Sequence, residues 1–172
     1  TVHGEELHPG LGGLDLLELL ARGLRVRCLR SIAYYSVSWD ERLADLHPEW
    51  LAESASGLRG VGAFRWRTLC INSPYAELVA AHIAAIAAKG LDGLWLDMTI
   101  IGEGNCYCPR CRASFRARSG AELPLSPTDP SWQDFLAFRY DLVEAFYKRV
   151  RETARSVAPG LAVANNYWGY PY

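Results

Sequence analysis

Three cysteines lie close together in the run Cys106-Tyr107-Cys108-Pro109-Arg110-Cys111. The C-x-C-x2-C spacing brings three thiolates within reach of one centre, and Zn²⁺ takes four such ligands at about 2.3 Å in a tetrahedron. Cys70, further upstream, offers the fourth thiolate. Because thiol packing alone needs no such spacing, we predict a structural zinc site held by four cysteines, with no open position for water.

Other uses of the cysteines are less consistent with the pattern. The chain has five cysteines, an odd number, and three of them are too close together for easy mutual disulfides. The C-x2-C pair does not open a helix directly after a strand, as it does in thioredoxin-like redox proteins. Cys28 is expected in the core or on a helix surface. A zinc-ribbon interaction module stays an alternative, although the surrounding segments resemble strands of a larger domain.

A carboxylate ends the apolar run Leu94-Trp95-Leu96-Asp97, shortly before the cysteine cluster. At the end of a buried strand, Asp97 could act as a nucleophile or as a general acid/base in glycoside cleavage. The alternative is an aspartate that caps a helix or orders a loop. Glu103 lies between two glycines and is either a partner carboxylate or a solvated loop residue.

Composition excludes several classes of protein. At 172 residues the chain supports one domain, and a net charge of −1 gives no electrostatic case for nucleic acid or an anionic membrane. No apolar run approaches the roughly 20 residues of a transmembrane helix, and no secretory signal is visible, so we expect a cytoplasmic protein. The chain begins with Thr, from which we expect a fragment or a processed product.

Hydrophobic periodicity predicts alternating helices and strands in the order α-β-α-β-α-α-β. Residues 23–31 fit helix or strand equally well, and residues 38–62 form a long connection. The predicted helices are 14–21, one opening at Ser73-Pro74 and closing at Lys89-Gly90, 109–118, and a long one between Asp129-Pro130 and Pro159-Gly160. The predicted strands are 32–37, 91–97 and 161–166, the second of them buried on both faces.

Alternation of this kind implies parallel strands joined by crossovers, with ligands at the carboxyl ends of the strands. The three predicted strand ends carry polar or aromatic residues. This is the layout of a (β/α)8 barrel, but three strands cannot close one and a complete barrel needs about 250 residues. We therefore expect residues 1–172 to form a single incomplete catalytic domain.

Longer motifs resemble a known group. Cys70-Ile71-Asn72-Ser73-Pro74, followed by the cysteine cluster and Phe115, resembles the zinc-carrying β-galactosidases of glycoside hydrolase family 42. The wider pattern is more similar to the bacterial "hypothetical glycosyl hydrolase 6" group, which is α-L-fucosidase-like. Its marks are Ala33–Asp40, His47–Trp50, Asn72–Tyr75 and Asp92–Asp97. The resemblance implies a (β/α)8 barrel, with this segment spanning roughly strands three to five.

The resemblance also implies roles for individual residues. The sequence departs from the pattern of the families it resembles at two places. The β-galactosidases end the fourth strand with Asn-Glu, which is missing here, whereas Trp95-Leu96-Asp97 resembles the fucosidase Trp-Phe-Asp, whose aspartate is the nucleophile. Arg25 to Ser31 lacks the usual turn from helix to strand. A sugar site is implied, and the residues expected to line it are Tyr35, Trp39, Asn72, Asn165, Asn166 and Trp168.

Together these features predict a retaining glycoside hydrolase with Asp97 as nucleophile, a carbohydrate substrate and a structural zinc ion. Its acid/base is expected on a later strand outside the chain, with Glu103 as the candidate within it. The segment alone is expected to be inactive, and a homo-oligomer of the full-length protein is left open. The rival hypothesis is a non-catalytic carbohydrate-binding or scaffold barrel that keeps the zinc site.

Overall fold

The computed structural model describes residues 9–60, 66–99, 101–102 and 104–166. Within this part of the chain, five α-helices alternate with three β-strands. The helices are α1 (Leu16–Val26), α2 (Glu41–Leu46), α3 (Tyr75–Ala87), α4 (Pro109–Ser119) and α5 (Trp132–Val157). The strands are β1 (Ile32–Ser36), β2 (Gly93–Asp97) and β3 (Ala162–Asn165), and short 3-10 turns lie at Pro9–Leu11 and Pro48–Trp50.

The strands form one parallel sheet in the order β1-β2-β3, which confirms the predicted α/β class. Tyr34 pairs with Trp95 between β1 and β2, and Leu96 pairs with Asn165 between β2 and β3. Because the strands are parallel, their carboxyl ends lie together at one edge of the sheet. The central strand, β2, ends there at Asp97.

The core lies on one face of the sheet. Successive residues of a strand point to opposite faces, so Leu94 and Leu96 of β2 share a face, and both are buried. α3 and α5 contact each other and contribute to the same core. Their buried core residues are Val79, Ile83, Ile86, Phe135, Phe138, Val143, Phe146 and Val150.

The opposite face of the sheet is open, which corrects the prediction that the second strand is buried on both sides. Ile32 is 69% exposed, Tyr34 64% and Trp95 40%. Three strands are too few to close into a barrel and cover this face themselves. We call the face that carries these three side chains the open face.

The structure shows the conformation of the segment between α1 and β1, which fits helix or strand equally well in the sequence. α1 extends through the ambiguous stretch to Val26 and ends in a turn in which Cys28 adopts a left-handed backbone, with φ of 56°. The Leu29 amide donates to the Leu24 carbonyl at 3.0 Å, and the Cys28 amide donates to the Arg25 carbonyl at 3.0 Å. This is a Schellman turn with cysteine in the usual glycine position. The prediction that a helix-to-strand turn is missing here was therefore wrong.

Most helix ends follow the sequence signals, but three helices begin later than predicted and one helix was not predicted. α1 begins at Leu16 instead of residue 14, and α5 begins at Trp132 with Ser131, not Asp129, as its N-cap.

Gly90 has a positive φ at the end of α3, where the sequence predicted that helix to close, and Gly120 has a positive φ at the end of α4. α3 begins one residue later than predicted, and the Ser73 hydroxyl accepts from the Tyr75 amide at 3.2 Å. The predicted long connection contains α2, where the Asp40 carboxylate accepts from the Leu43 amide at 2.9 Å. Among the described helices, none is long and apolar enough to cross a bilayer.

Candidate active site and cysteine cluster

Asp97 occupies the carboxyl end of the central strand, where the neighbouring strands also end. Its register partner on β1 is Ser36, and its side chain has the same parity as Trp95 on the open face. The residue is half-buried, so its carboxylate remains accessible from that face. This is the position at which parallel α/β proteins bind ligands.

Two side chains from the adjacent strands donate hydrogen bonds to this carboxylate. The Tyr34 hydroxyl of β1 donates to Oδ2 of Asp97, and the Asn166 amide, one residue beyond β3, donates to Oδ1. A carboxylate oxygen has about two lone pairs, so each oxygen can keep one free for another group. Asp97 is thus held from both sides, while each of its oxygens can still accept a further hydrogen bond.

The backbone of Met98, the residue after Asp97, orients the Asn166 side chain toward the Asp97 carboxylate. Met98 is buried and has a left-handed backbone, with φ of 57°, which is uncommon for a residue other than glycine. Its amide donates to Oδ1 of Asn166 at 3.0 Å, and its carbonyl accepts from the Ser38 hydroxyl. Because Oδ1 of Asn166 accepts from Met98, the amide nitrogen of Asn166 is left to face Asp97.

Tyr34 remains a hydrogen-bond donor over the whole physiological range. The hydrogen bond to Asp97, followed by partial burial and the negative charge of the carboxylate, raises the pKa of Tyr34 to about 12. An ordinary tyrosine already titrates near pH 10, so the phenol is neutral at pH 7. The Tyr34 hydroxyl therefore keeps its proton at pH 7 and donates a hydrogen bond to the Asp97 carboxylate.

Two residues expected to line a sugar site, Tyr35 and Asn165, face the covered side of the sheet, and a third, Trp39, lies in the loop after β1. The Tyr35 hydroxyl is hydrogen-bonded to Nδ1 of His82 on α3 at 2.8 Å, so Tyr35 faces the helices. Asn165 pairs with Leu96 and has the parity of the same covered face, where its Nδ2 is buried without a hydrogen-bond partner. Trp39 lies in the loop after β1, where its backbone pairs with Thr68. Of the predicted set, the structure brings Asn166 to Asp97.

Two further predicted site residues, Glu103 and Trp168, lie outside the described residues. Tyr34, which contacts Asp97, was not among the residues predicted from sequence. The sequence alone does not choose between Tyr34 and Tyr35, because the choice depends on the register in which Ser36 pairs with Asp97.

The four predicted metal ligands meet in one buried cluster, which we call the cysteine cluster: Cys70, Cys106, Cys108 and Cys111. All four sulfurs lie within 4.8 Å of one another, and the Cys70–Cys111 and Cys70–Cys108 sulfur distances are 3.6 and 3.7 Å. Sulfurs bound to one tetrahedral zinc at about 2.3 Å would lie about 3.8 Å apart. The donor set therefore fits a four-coordinate metal ion.

The start of α4 favours negative charge in the cysteine cluster. Cys108 is the N-cap of α4, where the helix dipole stabilises a thiolate, whereas hydrogen bonds with Cys106 and Cys108 raise the pKa of the Cys111 thiol in the first turn. Hydrogen bonds from Cys106, Cys111 and Cys70 lower the pKa of the Cys108 thiol. Hydrogen bonds within the cluster, followed by burial, raise the pKa of the Cys70 thiol. The cluster thus favours a thiolate at the helix end, which is the ionisation state that binds metal.

Asn72, the remaining residue predicted for the sugar site, lies beside the cysteine cluster. Its Nδ2 atom is 3.6 Å from the Cys111 sulfur and 3.1 Å from the Ser114 hydroxyl. An amide that donates to a metal-binding sulfur orients that sulfur and stabilises its negative charge. Asn72 is therefore placed to support the cluster.

The fold and the site together define an α/β unit of parallel strands with an aspartate at the centre of its carboxyl-end edge. The family model described as "Hypothetical glycosyl hydrolase 6" matches residues 3–98, which is more than half of the chain. The chain belongs to this family, as the sequence motifs predicted.

Individual relatives agree with this family. β-Galactosidase BgaA of Thermus sp. is 28% identical over an alignment of 200 residues, which covers 92% of this chain and 30% of that protein. α-L-Fucosidase isoenzyme 2 from Paenibacillus thiaminolyticus is similar in structure, with a TM-score of 0.72 and 29% identity over 89% of this chain and 23% of that one. Gan42B, a GH42 β-galactosidase from G. stearothermophilus, has a TM-score of 0.72 at 18% identity, and the match covers 94% of this chain and 29% of that one. The chain spans about a third or less of these proteins.

Proposed function

We propose that the chain is part of the catalytic domain of a retaining glycoside hydrolase in which Asp97 is the nucleophile. The observation that carries this proposal is the Asp97 carboxylate at the end of the central strand, held on the open face by Tyr34 and Asn166. Membership of a glycosyl hydrolase family and similarity to β-galactosidases and an α-L-fucosidase support a carbohydrate substrate.

In the proposed reaction, a carboxylate oxygen of Asp97 attacks the anomeric carbon while the bond to the leaving-group oxygen breaks. A general acid protonates that oxygen, and the same residue then activates a water molecule that releases the sugar from Asp97. In retaining enzymes the two carboxyl groups lie about 5–5.5 Å apart. We propose that the acid lies on a later strand outside this chain, with Glu103 as the candidate within it.

We further propose that the chain forms part of a (β/α)8 barrel, roughly its third to fifth strands. The parallel order β1-β2-β3, with helices covering one face, supports this assignment. The open face would then become the barrel interior.

A change of Asp97 to glycine in the full-length protein tests the nucleophile directly. We expect hydrolysis of an aryl glycoside to fall by about 10³-fold or more, because the covalent step is lost. Azide should restore turnover by entering the space of the missing carboxylate, and it should yield a glycosyl azide. Asp92→Gly is the control, because Asp92 lies at the opposite end of β2 and pairs with Arg30. Undiminished hydrolysis by Asp97→Gly would contradict the assignment.

The rival function, a non-catalytic carbohydrate-binding barrel, predicts a different result. It predicts no hydrolysis by the wild-type protein and sugar binding that persists in Asp97→Asn. Calorimetric titration with a panel of mono- and oligosaccharides, carried out beside the activity assay, separates the two functions.

We propose that the cysteine cluster holds Zn²⁺ in a structural role. Four thiolates would fill a tetrahedral shell and leave no position for substrate, so the ion would stabilise the fold rather than take part in the reaction. Zinc content of the purified protein should fall from about one ion per chain to near zero in Cys108→Ser. Cys28→Ser is the matched control, because Cys28 is exposed and lies outside the cluster. Equal zinc content in the wild type and Cys108→Ser would exclude this site.

A further inference from the structure

The groups around Asp97 form a continuous hydrogen-bonded chain that reaches across all three strands. The Tyr34 hydroxyl and the Asn166 amide each donate to one carboxylate oxygen of Asp97. Asn166 is held in turn by the amide of Met98, and Met98 by the hydroxyl of Ser38. We infer that Tyr34 and Asn166 are positioning residues that fix the orientation of the Asp97 carboxylate for attack.

The left-handed backbone at Met98 supports a dedicated arrangement. A residue with a Cβ is strained in this conformation, so neighbouring contacts must hold it there. The conformation aims the Met98 amide at Oδ1 of Asn166. As a result, the donor end of the Asn166 side chain faces Asp97, where the acceptor end would be repelled by the carboxylate.

Tyr34 completes the arrangement from the other side. It is largely exposed on the open face, so little packing fixes its ring, and the described contact of its hydroxyl is with Asp97. Removal of this one oxygen, as in Tyr34→Phe, therefore changes the hydrogen bond to Asp97 and leaves the core intact. The catalytic consequence of this inference rests on the proposed function, whereas the hydrogen bond itself can be tested without any activity.

The first test follows the titration of Tyr34 in the full-length protein labelled with ¹³C at Cζ of tyrosine. The signal that disappears in Tyr34→Phe identifies the residue. In the wild type we expect this signal to stay in its protonated position up to about pH 11, because the pKa of Tyr34 is raised to about 12. In Asp97→Asn the negative charge is gone, and the midpoint should fall toward pH 10. A midpoint near 10 in both proteins would overturn the inference.

The second test measures hydrolysis by Tyr34→Phe and Asn166→Ala. We expect kcat to fall by about 10- to 100-fold in each variant with KM changed less than about twofold, because the carboxylate loses its orientation only after the sugar has bound. In an Asp97→Asn background, neither substitution should lower the residual rate further. Tyr140→Phe, on α5, is the matched control and should leave both constants unchanged.

These outcomes distinguish the positioning role of Tyr34 and Asn166 from the proposed function as a glycoside hydrolase. A raised KM with unchanged kcat would assign Tyr34 to sugar binding and overturn the positioning role. Further loss of rate in the Asp97→Asn background would overturn it as well, since the side chains would then act independently of Asp97. If the wild-type protein hydrolyses no glycoside, the proposed function fails, whereas the tyrosine titration still decides whether Tyr34 donates to Asp97.

Discussion

The side chain of Asn72 connects the segment that carries Cys70 to helix α4. Asn72 directly follows Ile71 and Cys70 in a motif that carries both the metal ligand and a polar residue suited to sugar binding. The structure places its amide against the Cys111 sulfur and the Ser114 hydroxyl. Its proposed role is therefore to orient a zinc-binding sulfur.

Asn72→Ala should weaken zinc binding by about 10-fold, because outer partners of metal ligands typically contribute 10- to 100-fold to affinity. Competition with a chromophoric chelator measures the change. Asn165→Ala is the matched control, since the amide nitrogen of Asn165 is buried without a partner on the covered face of the sheet. An equal loss of affinity in the two variants would show that the effect is general destabilisation.

Strand parity explains which residues around Asp97 could be predicted. Asp97 itself was identifiable because a carboxylate ending a buried strand is conspicuous in the sequence. At the neighbouring strand ends, however, the same residue type occupies both faces: Tyr34 and Tyr35 on β1, Asn165 and Asn166 on β3. A shift of one residue moves a side chain to the opposite face, and no difference in residue type selects the correct one. The register with β2 supplies this information.

Glycine marks the ends of α3 and α4 in both the sequence and the structure, so those boundaries were predictable. The end of α1 carries no such signal. Cys28 takes the left-handed position, and the two hydrogen bonds of the Schellman turn form without glycine. α2 was missed because its six residues are too few to show a helical period, although Asp40 is an ordinary N-cap.

The left-handed backbone of Cys28, in the turn after α1, leads to a prediction about the stability of the protein. Cys28→Gly should stabilise the protein by about 0.5–1 kcal/mol, because the left-handed strain at this position exceeds the entropy that glycine adds to the unfolded chain. Cys28 is exposed, so little packing is lost. The free energy of unfolding in urea, measured under reducing conditions, gives the change.

Cys28→Ala separates the backbone effect from the loss of the thiol. Alanine keeps the Cβ and with it the left-handed strain, so this variant should show no gain. Equal stabilisation by alanine and glycine would mean that removal of the sulfur, and not relief of the backbone, is responsible.

At the scale of the whole molecule, the cysteine cluster and the sheet hold different parts of the chain together. Cys70 precedes α3, whereas the other three cysteines lie between β2 and the first turn of α4. The Cys70 amide also donates to the Trp50 carbonyl at 2.8 Å, and the Tyr107 amide donates to the Glu53 carbonyl at 2.7 Å. The cluster thus links the long segment after β1 to the loop after β2, at the end of the sheet that carries Asp97.

The proposal of a partial barrel predicts how the 172-residue chain behaves by itself. Its open face exposes Ile32, Tyr34 and Trp95, and in the described part of the chain β1 and β3 each lack a partner on their outer edge. Exposed apolar faces and unpaired strand edges favour association. We therefore expect the isolated chain to sediment as a concentration-dependent mixture, to bind a hydrophobic dye and to hydrolyse no glycoside.

Ile32→Lys tests whether the open face causes this association. A charge at this 69% exposed position should reduce self-association and dye binding in the isolated chain, because it cannot be buried against another apolar surface without a large cost. Leu58→Lys is the matched control at a 62% exposed loop position outside the sheet. In the full-length protein the same Ile32→Lys change should instead destabilise the fold, because the remaining strands would bury residue 32 inside the barrel. A monomeric isolated chain, or an equal effect of both lysines, would contradict the assignment of the open face to a barrel interior.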